Sequence, residues 1–564
     1  MKTKLFNITL ICLGLCLFTA CADFLDKVPK EELSDGSFWK TEKDAEMAVS
    51  NLYNYLGWWP DDAITTDDAT MGIKWAAGNE AVGVYDPSDY DWSNDYKYIR
   101  SANLALSKLS EMSLNDDVRK LLEGQAYFFR GYIYFNLIRT FGAVPYVDKP
   151  LTISDLNDTK QSTREEVYAK LMSDLDKAIL YLPMTWDADK DGRITRGAAQ
   201  AVKMRAALYY GDYQTTADMA KEIISSGVYE LYDNGNTGKY AELFWEKSDG
   251  CKENILYIPF KAPDKTNYII GWEAFPTLGW GGMDPTQDLV DAFEDVDGSP
   301  IYESSEAGLI ARDTDGKPKG KVLSAKFDPT IPFKNRDPRL EVNVLHDGET
   351  MYGTTIKVAP HKSSGNTGIG QHGDATETGY YQQKWLDPAI HPSSDGWSMG
   401  KDEVIIRYAE VLLSYAEAMN ELNGPCTEAF GAVNQVRARV GMPPLQNSDP
   451  TKPTYCSNKN ELRKRIKNEW RVEFCLEGDI RKWNLRRWGD SKEMLNRKYW
   501  GMSYTLELNA DGSLKSFVPY RGKHIQLKGS HYEDYNYLFP IPQKEMDLNK
   551  NLKQNQGYKD TNVK

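Results

Sequence analysis

The sequence predicts a mainly α-helical protein, and three observations carry that expectation. From Leu121 to Ile138 the apolar and aromatic residues run nearly all the way round a 3.6-residue period. A helix that is hydrophobic on every side is buried on every side. Thr163-Arg-Glu-Glu166 is a capping box ahead of a periodic run that lasts to Leu182. Gly197–Tyr210 and Thr215–Ser226 are two more periodic runs, joined by Gly211-Asp212-Tyr213 and rich in alanine where two helices could cross closely.

Taken in order, Cys21 to Lys40 reads as an extended tether through Asp26 and Pro29. Thr41 is placed to cap a helix with acidic residues in its first turn. A second helix is expected over Ser93–Met112, then the buried helix, with Gly142 and Pro145 to stop it. Glu123 and Arg130 lie two turns apart on that helix, so a charge there has a partner within reach. From Cys251 to Gly400 the texture changes: 12 of the 26 prolines fall here, with short strand-like runs such as Ile255–Ile258 and one helix around Asp284–Phe293. Loops this long are ordinarily functional or disordered, and the aromatic content argues against disorder. Helices return at Glu403–Leu422, Thr427–Val440 and Glu461–Leu476. The expected organisation is a signal peptide over 1–20, a tether over 21–40, a helical region over 41–250, a loop-rich ligand-binding region over 251–400, and C-terminal helices with a closing segment over 401–564, packing on the same single domain.

The chain has 564 residues, 27% charged, with a net charge of −14 and no dense basic run. That excludes nucleic acid and anionic membrane surfaces as natural partners. Lys2 and Lys4 precede an apolar run from Leu5 to Phe18, shorter than the ~20 residues that span a bilayer. Phe18-Thr-Ala-Cys21 resembles a bacterial lipobox, which implies cleavage before Cys21 and acyl chains on that residue, an outer-membrane anchor. Cys251, Cys426, Cys456 and Cys475 are widely spaced, neither a disulfide framework nor a zinc site.

No histidine pair has metal-ligand spacing, no glycine loop opens a helix to cradle phosphate, and no nucleophile arrangement stands out. No cofactor, metal or catalytic residue is expected. Asp67-Asp68 and Glu294-Asp295 could be cast as a glycosidase dyad, but a charged pair on an acidic chain is ordinarily a solvated face. Trp92, Trp483 and Trp488 sit on helical periods and read as core. Trp58, Trp59, Trp75, Tyr85, Tyr268, Trp272 and Trp280 lie in Gly- and Asp-rich loops without a period to bury them, as does Trp397. Such rings either pin their own loops or stack on the apolar face of a sugar, with neighbouring polar groups on its hydroxyl rim. The first seven are the candidate glycan-binding residues.

Several blocks resemble one family. Gln125-Ala-Tyr-Phe-Phe-Arg130, Tyr134-Phe135 and Phe141-Gly142-x-x-Pro145 resemble the signature helix of the SusD/RagB family, with Gln125, Tyr127 and Gly131 departing from its usual residues. Arg407-Tyr-Ala-Glu410, Asn434-Gln-Val-Arg437-Ala-Arg439, Glu469-Trp-Arg-Val-Glu473 and Pro540-Ile-Pro542-x-x-Glu545 follow in the family's order. The resemblance implies a SusD-like fold with tetratricopeptide-like helix pairs, although no clean 34-residue period is present, and a loop-rich binding face. It implies a cell-surface lipoprotein that binds oligosaccharide or polysaccharide and delivers it to a TonB-dependent SusC-like transporter, without catalysis. It also implies that Arg130, Arg407, Arg437 and Asp337-Pro-Arg339 make buried ion pairs. The alternatives are the same fold binding peptides or other nutrients, a helical scaffold without a small ligand, and a secreted glycoside hydrolase.

Overall fold

Polar caps start the helices where the sequence places them. In this computed structural model, which describes residues 38–58, 60–72, 79–151, 159–232, 237–392 and 396–560, Thr41 opens α1 (Glu42–Ser50) with a reciprocal capping box. Its hydroxyl accepts from the Asp44 N–H at 3.2 Å, and the Asp44 carboxylate accepts from the Thr41 N–H at 2.7 Å. A short strand β1 (Ala69–Met71) precedes α2 (Ser93–Glu111) and the long helix α3 (Asp116–Phe141). Thr163 and Glu166 cap α4 (Arg164–Tyr181) in the same reciprocal way. Gly211, at φ +81°, ends α5 (Arg196–Tyr210), and the Asp212 carboxylate accepts from the Thr215 N–H to start α6 (Tyr213–Ser226). Each of α3 to α6 packs on the helix before it in the chain.

Helix α3 is buried on all sides, as its period requires: Phe128, Phe129, Ile133 and Tyr134 are wholly inaccessible. Its charge is satisfied differently from the sequence expectation. Arg130 pairs with Asp174 of α4 at 2.7 Å and donates to the Asn103 side-chain oxygen of α2 at 2.7 Å, rather than using Glu123. The closing segment seals the other end: Phe539 N–H donates to Thr140 C=O, and the Asn555 amide to Phe141 C=O, both at 2.9 Å. These carbonyls belong to the last turn of α3 and have no partner within the helix.

After α6 the chain makes a long excursion that builds a second hydrophobic core. It includes β2 (Asn254–Ile258), α7 (Ile269–Glu273), β3 (Met283–Pro285), α8 (Gln287–Ala292), α9 (Arg339–Asn343), β4 (Val344–Leu345) and β5 (Tyr381–Gln382). Strand β3 pairs antiparallel with β1, and β5 with β4. Phe275, Val290, Tyr380 and Tyr381 are wholly buried there. The chain returns through β6 (Glu403–Arg407), antiparallel to β2. The sequence predicts helix from Glu403; here the β-branched Val404, Ile405 and Ile406 pair with β2 instead, and helix α10 starts only at Tyr408 (Tyr408–Asn423). It packs against α6, against α11 (Thr427–Arg439) and against α12 (Lys459–Phe474). Helix α13 (Ile480–Trp488) follows, then an antiparallel sheet of β7 (Trp500–Leu508), β8 (Leu514–Pro519) and β9 (Lys523–Gln526). That sheet is a further departure from the helical expectation for 401–564. Its first hairpin turns at Gly512, φ +80°, between Asn509 and Ser513.

Between the two cores lies a buried network of charge. Arg339, which is fully buried, pairs with Asp337 at 2.7 Å, Glu469 at 2.6 Å and Glu473 at 3.0 Å. Arg407 pairs with Glu253 at 2.9 Å, Glu473 at 2.6 Å and Glu477 at 2.9 Å. Arg439 also holds Glu253 and Glu473, and Arg437 joins Glu469 to Glu294. Asp67 and Asp68 are likewise buried, gripped by Arg471 at 2.8 and 2.7 Å and by Arg481. Burial would raise the Glu473 pKa, but Arg439, Arg407 and Arg339 outweigh it and hold the carboxyl well below the usual range.

Removing one partner of a buried ion pair leaves the others uncompensated, typically at a cost of ~3–5 kcal/mol. Glu473→Gln keeps the shape and removes the charge, so the midpoint of urea unfolding at pH 7 should fall sharply. Because the folded-state pKa of Glu473 is depressed, its contribution is present above the ordinary glutamate value and is lost only as pH falls through the depressed one. The difference between wild type and Glu473→Gln should therefore persist at pH 4.

Candidate functional site

Helix α7 and the turn after it gather aromatic rings on the surface of the second core. Tyr268 precedes the helix, Trp272 lies within it and Trp280 follows in the turn that leads to β3. The turn folds back on the helix through three backbone bonds: Trp280 N–H to Gly271 C=O at 3.1 Å, Gly281 N–H to Ala274 C=O at 2.7 Å, and Gly282 N–H to Trp272 C=O at 2.9 Å. The Trp280 indole N–H then donates to the Tyr268 hydroxyl at 2.9 Å, which fixes both rings. A fourth ring comes from far along the chain. Asn267 and Met399 exchange backbone hydrogen bonds of 2.9 and 3.0 Å, and this bridge sets Trp397 edge-on to Tyr268 with centroids 6.5 Å apart.

Glycines make the approach possible. A Cβ on Gly271 would stand 2.4 Å from the Trp397 Cβ and 2.7 Å from its carbonyl oxygen. A Cβ on Gly282 would stand 2.4 Å from the Trp272 indole nitrogen. Trp397 itself has φ +60°, a left-handed conformation that is costly for a bulky side chain, and remains 42% exposed. A strained, exposed indole held by its surroundings is a feature that folding alone does not call for.

Polar groups flank the turn. Gly281 lies against the carbonyl of Asp374, whose carboxylate is 3.5 Å from His372 Nδ1. Before Tyr268, Lys261 and Lys265 exchange backbone bonds and leave Asp264 and Lys265 exposed. Below the turn, burial pushes the Asp284 carboxyl far above the usual carboxylate range, with the Glu377 N–H bond of 2.8 Å opposing it only in part. That bond ties the Asp284 carboxyl to the 374–378 loop.

The expected ligand residues thus separate. Tyr268, Trp280 and Trp397 meet, through the Trp280–Tyr268 hydrogen bond and the edge-on Trp397 contact, while Trp272 packs against Gly282 of the same turn; Tyr268, Trp272 and Trp280 are half-buried and Trp397 is exposed. Trp58 packs edge-on to Trp385 at 5.0 Å, between the two cores. Tyr85 packs edge-on to Phe539 at 5.3 Å, and its hydroxyl accepts from Arg486 at 3.0 Å; burial pushes that hydroxyl up to about 12. Both rings are half-buried, each against a large aromatic partner. Trp59, Trp75 and Cys21 lie outside the described residues; Gly72, three residues before Trp75, sits against Gly281 of the platform turn. Trp92 and Trp483 are core. Asp67, Asp68 and Glu294 are committed to arginines, and the Asp295 carboxylate accepts from Asp297 and Ser299 backbone N–H groups.

Comparison with known proteins converges on one group. A family model described as the SusD family matches residues 243–558, and one described as starch-binding associating with outer membrane matches residues 23–208. SusD-like protein P2 of Formosa agariphila is 26% identical over 590 residues, covering 98% of this chain and 100% of the relative. A SusD-like protein from Bacteroides fragilis superposes with a TM-score of 0.75 at 27% identity, covering 94% of this chain and 100% of that one. A SusD-like carbohydrate binding protein from the same organism gives 0.74 at 25% identity, covering 92% and 100%. Among the described residues, no helix is long and apolar enough to cross a membrane.

The platform depends on the close contact at Gly271. Gly271→Ala should displace Trp397, shifting tryptophan emission and near-ultraviolet dichroism while the far-ultraviolet spectrum of the helical core stays as in wild type. Unchanged emission would mean that Trp397 does not rest on this helix.

Proposed function

The chain belongs to the SusD family, and from that premise we propose that it captures oligosaccharide at the cell surface and delivers it to a TonB-dependent SusC-like transporter. It does so without catalysing a reaction. The cluster of Tyr268, Trp280 and Trp397, with Trp272 packed against the same turn, carries this proposal. Aromatic faces match the C–H face of a pyranose ring, and the polar border of Asp374 and His372 matches its hydroxyls. The starch binding in one matching family description and the carbohydrate binding of one solved neighbour support the ligand class. An anchor on Cys21 accords with the outer-membrane association in the same description. The buried state of Asp67 and Asp68 weighs against hydrolysis.

Stacking of a base on an exposed aromatic is worth ~1–3 kcal/mol, and a sugar on such a ring should compare. At ~1.4 kcal/mol per decade, truncating one ring weakens binding roughly five- to a hundredfold. After a glycan array has identified a ligand, Trp272→Ala, Trp280→Ala and Trp397→Ala should each lose affinity in that range and release no reducing sugar. Wild-type affinity in all three would move the site elsewhere, and binding to a peptide panel but to no glycan would replace sugar by peptide.

Cys21→Ala should abolish palmitate labelling and free the protein from the outer membrane. Mild detergent extraction of the wild type should recover a transporter of much larger mass; recovery of this protein alone across several detergents would argue for a free-standing binder.

A further inference from the structure

Away from the aromatic platform, Glu341 of α9, and His346 and Glu349 in the turn after β4, present ligand atoms within 4.8 Å of one another. His346 Nε2 is 3.7 Å from a carboxylate oxygen of Glu341 and 3.7 Å from one of Glu349. Those separations are too long for hydrogen bonds. They suit a shared cation: with Zn–N and Zn–O bonds of ~2.0–2.2 Å, tetrahedral ligand atoms stand roughly 3.3–3.5 Å apart.

The imidazole is prepared for this role. Its Nδ1 is 3.2 Å from the Asp347 carbonyl, which can only accept, so Nδ1 donates there and Nε2 is the atom turned to the carboxylates, free to exchange its proton for a cation. Phe333 stacks on the ring with centroids 3.7 Å apart, and Tyr520 closes its edge at 6.4 Å. Glu349 is oriented by the His346 backbone N–H at 2.8 Å. The turn between them is pinned by Gly348 N–H to Ile356 C=O at 2.9 Å and Ile356 N–H to Glu349 C=O at 2.8 Å. The hydroxyl of Tyr520, whose ring meets that of His346, is sealed from solvent and has no hydrogen-bond partner among the described residues. Burial, and then the charges of Asp347, Glu349 and Glu341, hold its proton in place. The Glu341 side chain is 49% exposed, so an ion has a way in.

We propose that Glu341, His346 and Glu349 bind one divalent first-row transition cation, with Zn2+ the best match. One imidazole with two carboxylates suits Zn2+, whereas Ca2+ and Mg2+ prefer all-oxygen shells. Three protein ligands leave coordination open to solvent, and the ion clips the end of α9 to the turn beside Phe333 and the β7–β9 sheet.

Calorimetric titration of the purified protein with ZnCl2, and separately with CaCl2, tests this. The wild type should show one saturable Zn2+ site, much weaker Ca2+ binding and a melting temperature raised by Zn2+. Glu341→Gln and His346→Gln should each weaken Zn2+ at least about tenfold and abolish the thermal shift. Glu341→Gln should melt like wild type without metal, because its side chain is half in solvent. Equal Zn2+ affinity in wild type and both variants would assign the binding to other histidines and overturn the proposal. No Zn2+ binding would leave an imidazolium held by two carboxylates, and tighter Ca2+ than Zn2+ would overturn the class of ion.

Discussion

The structure depends on the balance of buried charge around Glu473. Six cations, Arg339, Arg407, Arg437, Arg439, Arg465 and Lys384, meet six carboxylates, Glu253, Glu294, Asp337, Glu469, Glu473 and Glu477, in direct ion pairs. Moving ions out of water costs several kcal/mol each, and attraction offsets this only when every charge is matched and hydrogen-bonded. The members come from β6, α9, α11, α12 and the loops around them, with Glu253 just before β2. A change in one of these elements therefore leaves charge unmatched in its neighbours, as Glu473 alone pairs with Arg339 of α9, Arg407 of β6 and Arg439 of α11. The network acts as a register that admits one arrangement of the helical core against the loop-rich core.

That constraint explains how a segment with so little regular structure keeps its shape. Loops must satisfy their backbone groups, and buried arginines do so here. Arg336 donates to the carbonyls of Pro332, Val290 and Phe293, and Arg465 to those of Pro453 and Gly298. Lys384 reaches the carbonyls of Glu473 and Cys475 while pairing with Glu477. A guanidinium offers five donors in a fixed fork, so one side chain can anchor several strands of loop at once. On this rigid base the turn after α7 holds Trp272 and Trp280, and Trp397 is kept in a conformation that a free loop would abandon. Rings fixed in advance lose less freedom when a ligand arrives.

The helical half was legible because its signals are local. Capping boxes at Thr41 and Thr163, the all-round hydrophobic period of α3 and the Gly142 stop each rest on neighbours within a few residues, and the structure keeps them within a turn. Where the expectation missed, a distant partner decided. Residues 403–407 are strand because β2 is there to pair with them, and Arg130 ignores Glu123 because Asp174 is nearer from α4. The hairpin at Gly512 did leave a signal, the turn residues Asn509, Asp511 and Gly512 between alternating runs, which helical expectation for this region passed over.

The candidate site divides along the same line. Sequence by itself determined that several aromatic rings sit in loops without a period to bury them, because burial by periodicity is a property of the local chain. It could not determine which partners those rings find. Trp58 and Tyr85, half-buried, pack edge-on to Trp385 and Phe539, more than 300 residues away. Tyr268, Trp280 and Trp397 meet because the Asn267–Met399 bridge and the fold of the turn onto α7 bring them together, and Trp397 is left exposed. Those contacts join residues that no local pattern relates, so only the tertiary structure decided them.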